Sequence, residues 1–237
     1  MPTLSVFNRQ GELLRSASHP TEALLYHPQP YEPGDFLELT LEAPGYRHFT
    51  VDTAIPSAFV YLPTGILRYA IPFDESMRAH PPTAFAGDKH LIAARVAAED
   101  ELYAYRNVAE NPADQRGPAD AYPHATANVE TRGESVFAAR NVIDGFRINN
   151  GHGSWPYQSW GIGERKDAVL TLDFGRPVVI DRAVFYLRAD FPHDAYWTQA
   201  TLVLSDGAEK TVSLTMTGEP QAFDLGTHTV TWLRLER

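Results

Sequence analysis

Residues 199–207 read QATLVLSDG, with apolar side chains at Ala200, Leu202 and Leu204 on every second position and a Ser-Asp-Gly turn closing the run. A strand turns successive side chains to opposite faces, so this spacing suits a sheet with one buried face. The same kind of run returns on both sides. AVLTLDFG (168–175), VVIDRAVFYLR (178–188), TVSLTM (211–216), PQAFDL (220–225) and TVTWLRLE (229–236) surround it, and DFLELTLEA (35–43), HFTVDT (48–53), AFVYL (58–62) and LRYAIPF (67–73) fill the first half. Glycine, proline, asparagine or aspartate punctuates them, as at strand ends. The pattern is all-β.

One segment breaks it. AAEDELYAYRNVAE (97–110) places Glu99, Asp100 and Glu101 at its start and Leu102, Tyr105 and Val108 at helical spacing. Acidic residues suit the positive end of a helix dipole, and the apolar set forms one stripe, so a short helix is expected here. NPADQRGPADAYP (111–123) follows with linker punctuation, and a boundary falls near residue 118. The expected architecture is two antiparallel β-sandwiches of jelly-roll character, an N-terminal one over 1–95 and a C-terminal one over 122–237, joined by a helix and linker over 96–121.

Composition narrows the function. Of 237 residues, 43% are hydrophobic and 21% charged, as in an ordinary globular chain. Thirty acidic against 20 basic side chains give a formal net charge of -10, a field that repels nucleic acid and anionic membranes. The absence of cysteine excludes disulfides, thiolate metal sites and a cysteine nucleophile. MPTLSVFNRQGELLRS carries no leader pattern, and no apolar run is long enough to insert in a membrane, so a cytoplasmic protein is expected, or a secreted one if a leader was removed. The pattern does not specify an oligomeric state.

The order of features in the second half resembles the discoidin, or factor V/VIII type C, domains and the related galactose-binding-like carbohydrate-binding modules. The matching pieces are AARNVIDG (138–145), a tryptophan loop ending at Trp160, LTLDFGRPVVIDRAVFYLRAD (170–190), TLVLSDG (201–207) and the closing TVTWLRLE. The resemblance covers about residues 122–237 and implies a galactose-binding-like sandwich with its ligand loops at one end. The loop FRINNGHGSWPYQSWGIG (146–163) departs from the family by being long and aromatic.

In that frame the chain is expected to bind a carbohydrate. Trp155 and Tyr157 can offer apolar faces to a sugar ring while His152 supplies a directional hydrogen bond. Trp160 is more readily a core plug. In LRADFPHDAYW (187–197), Arg188 matches the family's strand-end arginine, whose planar donors suit hydroxyls or a carboxylate. Asp190, His193, Asp194 and Trp197 complete the ligand set, although Arg188 can also simply pair with Asp190 or Asp194 on the surface.

The alternative is a glycan-active enzyme, a polysaccharide lyase or a glycoside hydrolase, using the same loops. His152 or His193 would then act as base, with Tyr157 and Asp190 as further catalytic groups. A third reading makes the exposed aromatics a protein interface. The resemblance also implies a structural calcium held by Asp144, Asn149 and Glu236, against which Asp144 can cap a turn through its own backbone. No organic cofactor is expected. YPHATANVETRGES (122–135) can bring His124, Asn128 or Arg132 to a site between the halves, or can pack the halves together.

Overall fold

The structure is a computed structural model that describes residues 1–148, 155–189 and 195–236. It is an all-β chain whose described strands form three antiparallel sheets.

The first half builds two of them. Strands β1 (Thr3–Phe7), β2 (Leu13–Ser18), β4 (Phe36–Thr40) and β7 (Ile66–Ala70) form a sheet in the order β2-β1-β4-β7. Strands β3 (Glu22–His27), β5 (Gly45–Thr50), β6 (Ala58–Leu62) and β8 (His90–Val96) form the second, in the order β3-β8-β5-β6. Alternation decides which faces turn inward. Leu4 and Val6 on β1, Leu37 and Leu39 on β4, and Leu67 and Tyr69 on β7 share one hydrophobic cluster with Leu25, Phe49, Val60, Leu62 and Ile92 from the other sheet. Removing that apolar surface from water is the main force holding the half together. Strand β2 is invisible to the same reasoning because it is an edge on which no residue is buried.

The second half builds a five-stranded sheet in the order β12-β11-β13-β10-β9. Its members are β9 (His124–Ala127), β10 (Val169–Phe185), β11 (Gln199–Leu204), β12 (Glu209–Ser213) and β13 (Gln221–Glu236). The runs 168–175 and 178–188 contribute to one long strand, as do 220–225 and 229–236. Register breaks between Asp173 and Val178 and between Ile180 and Arg182 let β10 follow β13 along its length.

The expected helix is corrected to a shorter element. α1 spans only Glu99–Tyr103, none of its residues is buried, and Ala104 is already extended. The acidic first turn forms as expected, because Glu101 accepts the Ala98 backbone N–H at 2.7 Å. Beyond it, tertiary partners outweigh helix propensity. Arg106 turns back to donate to the Glu101 carbonyl and lays its guanidinium over Phe59, and Asn107 caps the Ala109 N–H at 3.1 Å. Tyr105 leaves the apolar stripe and donates to Asp181 at 2.8 Å.

The segment that reads as a linker is built into the fold. Ala113 and Ala121 join the first core cluster, and Gln115 exchanges hydrogen bonds with the Ala70 backbone at 2.9 and 2.8 Å. Tyr122 makes a two-bond bridge to Tyr61 at 2.9 Å each way. Among the described residues, no helix is long and apolar enough to cross a membrane.

Candidate functional site

The tryptophan loop is fixed by the VETRGES segment that precedes it in sequence. Thr131 donates its backbone N–H to the Gly161 carbonyl at 2.8 Å, and its hydroxyl accepts the Gly163 N–H at 2.8 Å. Ser159 and Gly161 in turn donate to the Val136 and Phe137 carbonyls at 2.9 and 3.1 Å. Asn141 spans both pieces, donating to the Ser135 carbonyl at 2.8 Å and the Ser159 carbonyl at 3.1 Å. These bonds satisfy backbone groups where no regular secondary structure does so.

The predicted ligand residues meet different fates on that frame. Tyr157 offers no open face, since it is 2% exposed and packs with Ala79 and Val136. Its hydroxyl accepts from Arg78 at 2.9 Å, and the Arg188 guanidinium lies 5.2 Å from its ring centroid. The stacking platform expected there is therefore corrected to a buried post, held by one arginine from each half. Arg188 also reaches Ser159 Oγ at 3.4 Å. Trp155 is half-buried and meets Phe146 edge to face, with ring centroids 5.4 Å apart.

Trp160 and Trp197 form a second pair at 5.6 Å. Each is partly buried, Trp160 against the cluster around Leu170 and Phe174 and Trp197 against the cluster around Ala200 and Leu202. Trp160 also donates its indole N–H to the Val129 carbonyl at 2.8 Å, as a core plug would. His152, Asp190, His193 and Asp194 lie outside the described residues.

Of the three expected calcium donors, Asn149 also lies outside the described residues. Asp144 is 1% exposed, and it closes a turn by accepting the Phe146 N–H at 2.9 Å and the Gln158 amide at 3.2 Å. Glu236 ends β13 opposite Val169 and Thr201, with Arg234 at 3.8 Å. Among the described residues no group of three such side chains is placed to hold a metal ion, so Asp144 and Glu236 do not by themselves make the oxygen cage that calcium needs.

Three residues singled out between the halves are occupied structurally. His124 Nδ1 pairs with Asp114 at 2.7 Å, Asn128 brackets the start of β10 through Asp167 and Val169, and Arg132 pairs with Glu134 at 2.6 Å. Sequence reasoning did not single out Gln158 and Arg78. Arg78 belongs to no motif and Gln158 is one polar residue within the aromatic loop, and each acquires its role from a partner that folding brings to it, Tyr157 for Arg78 and Asp144 for Gln158.

Covered polar atoms without a partner occur in several places among the described residues, including His27, Tyr31 and Tyr69 in the first-half core, and two of them lie on the tryptophan loop. Trp155 Nε1, a donor, and Gln158 Oε1, an acceptor, are both covered and have no hydrogen-bond partner among the described residues. Each costs about 1–3 kcal/mol in that condition.

Beneath the loop, Arg140 is buried and donates to the carbonyls of Asp114 and Pro112 at 2.6 and 3.0 Å. Its charge bears on two titrating groups. His80 is pushed down to about 3, first by burial and then by Arg140. Asp144 is pushed up to about 6 by burial, with Arg140 opposing. Below pH 6.5, the ordinary value for His80, the unfolded chain takes up a proton that the folded chain refuses. Stability therefore falls with falling pH by about 1.4 kcal/mol per unit. Between 3.8 and about 6 the folded chain keeps a proton on Asp144 that the unfolded chain has lost, so this contribution falls as pH rises.

The two nearly cancel in the parent and separate in variants. His80→Gln should gain on the parent as pH drops from about 6.5 to 4, and Asp144→Asn should gain as pH rises from about 4 to 6, each by up to about 1.4 kcal/mol per unit. Urea denaturation across pH checks both. Differences that do not change with pH would refute the assignment.

No protein-family model matches the chain, and no curated protein matches it.

Proposed function

We propose that the protein binds a carbohydrate at the tryptophan loop, with Trp155, Gln158 and Arg188 as contacts and Tyr157 as the post that positions Arg188. In this reading residues 122–237 are a galactose-binding-like sandwich and residues 1–95 a separate sandwich.

The observation that carries the proposal is the covered pair of unpartnered groups, Trp155 Nε1 and Gln158 Oε1, on one loop beside an arginine. A sugar hydroxyl both donates and accepts, so one hydroxyl pair can satisfy both atoms, and the indole supplies an apolar face for the ring. Both atoms are covered, so binding in this reading requires the indole, packed on Phe146, to move aside. The order of the motifs in the second half supports the same fold and ligand class.

Trp155→Ala should weaken binding to a responsive glycan by roughly 10-fold or more, since losing a stacked aromatic and its N–H costs on the order of 1–3 kcal/mol. The thermal midpoint should move little, because the indole is only half-buried. Glycan-array screening followed by calorimetry on the responsive sugar checks this, and affinity unchanged in the variant rules the loop out. Reducing ends or an ultraviolet-absorbing unsaturated product in the same incubations would turn the reading toward a glycan-active enzyme.

A further inference from the structure

A concavity apart from the tryptophan-loop contacts gathers cations in a chain whose net charge is -10. It encloses about 260 Å³, and its lining includes Phe59, Arg106, Glu110, Arg147 and Arg176. Three arginines thus face one carboxylate, and Glu110 is already taken by Arg147 at 2.5 Å.

The other two guanidinium groups are fixed without an acidic partner among the described residues. Arg106 lies 3.8 Å from the Phe59 ring centroid and donates to the Glu101 carbonyl, whose carboxylate belongs to Arg95 at 2.5 Å. Arg176 donates to the Tyr46 hydroxyl and, at 2.7 Å, to the Phe174 carbonyl, with the Tyr46 and Tyr61 ring centroids 4.6 and 5.6 Å away. Burial first, and then the charge of Arg176, lowers the pKa of Arg106. Tyr46 and the Glu101 carboxylate oppose this only in part, and the remaining repulsion between like charges is relieved by an anion between them. Aromatic stacking has already restricted the side chains, so little further rotamer entropy is lost when their planar forks engage an oxyanion.

We propose that this cavity binds a small polar molecule through a carboxylate or phosphate group, gripped by Arg106 and Arg176. Arg147 adds a third donor at the rim when it leaves Glu110. The volume suits a ligand smaller than a typical drug. The site does not rest on the tryptophan-loop reading and uses none of its contacts.

The test is calorimetric titration of the full chain, at low and at physiological salt, with glucuronate, inorganic phosphate, glucose 6-phosphate and glucose. In the Trp155→Ala variant, where the tryptophan loop no longer contributes, at least one anion should bind, glucose should not, and affinity should fall with salt. A preference for glucuronate identifies a carboxylate ligand, and a preference for the phosphates a phosphorylated one. Arg106→Gln and Arg176→Gln should each weaken the anion by about 10- to 100-fold, the range for a lost charge-assisted bond. Trp155→Ala should leave it unchanged. If Arg176→Gln unfolds by circular dichroism, Arg106→Gln and Arg147→Gln decide. No binding by any anion, equal binding of glucose in the Trp155→Ala variant, or full affinity in the folded arginine variants would overturn the proposal.

Discussion

Asp114→Ala should lower the unfolding free energy by about 3–5 kcal/mol, the range for breaking a buried ion pair from one side. Asp114 and His124 are 4% and 6% exposed, and their Oδ1 to Nδ1 distance is 2.7 Å. The second carboxylate oxygen accepts the Ala125 N–H at 3.0 Å, so the truncation takes away the imidazole's charged partner and orphans a backbone donor together. It also loosens the segment that carries Ala113 into the first core cluster and accepts Arg140 at the Asp114 carbonyl.

The effect has a pH signature. Its bond to Asp114, ahead of the opposing effect of burial, raises the pKa of His124 above 6.5. A raised histidine stabilises the fold fully below the unfolded value and loses that contribution as pH rises through the folded one. The gap between parent and variant should therefore be widest below pH 6.5 and narrow above it. Urea denaturation at several pH values measures it. A gap that is constant, or that widens with pH, would mean the pair is not charged in the folded state.

The second large effect is steric. Gly175 has φ +64°, and a Cβ there would sit 2.4, 2.5 and 2.8 Å from carbons of the Tyr122 ring. Tyr122 has little freedom to retreat, because its backbone is held to Tyr61 by two hydrogen bonds of 2.9 Å. Gly175→Val should cost roughly 3 kcal/mol or more, combining overpacking with left-handed strain. Gly207 separates the two causes, since its φ is +91° but nothing lies within 4 Å of an added Cβ. Gly207→Ala should cost only about 1 kcal/mol. Equal melting-temperature losses for Gly175→Ala and Gly207→Ala would eliminate the contact with Tyr122 as the cause.

How far the loop could be read from sequence depends on the kind of information each residue needs. Trp155, Tyr157 and Trp160 stand out as a cluster of aromatics with no helical or strand period. Because they have no period, nothing in the sequence says which one is covered. Tyr157 became the buried one because Ala79 and Val136 close around it and Arg78 reaches its hydroxyl across a sequence separation of 79 residues. Arg188 was legible as a strand-end cation, but its placement over that ring was not.

By itself the sequence determined the all-β class and the inward faces of strands such as β4, β6 and β11, because period-two alternation is local and the pleat leaves each side chain only two faces. It also excluded cysteine chemistry outright and set the acidic field. Only the tertiary structure decided that the 97–110 helix stops after Tyr103, that Ala113 and Ala121 of the linker join the first core, and that Arg106 and Arg176 meet at one cavity. Each of these depends on contacts between residues far apart in the chain. Such contacts can exceed the few tenths of a kcal/mol per residue that local propensity contributes.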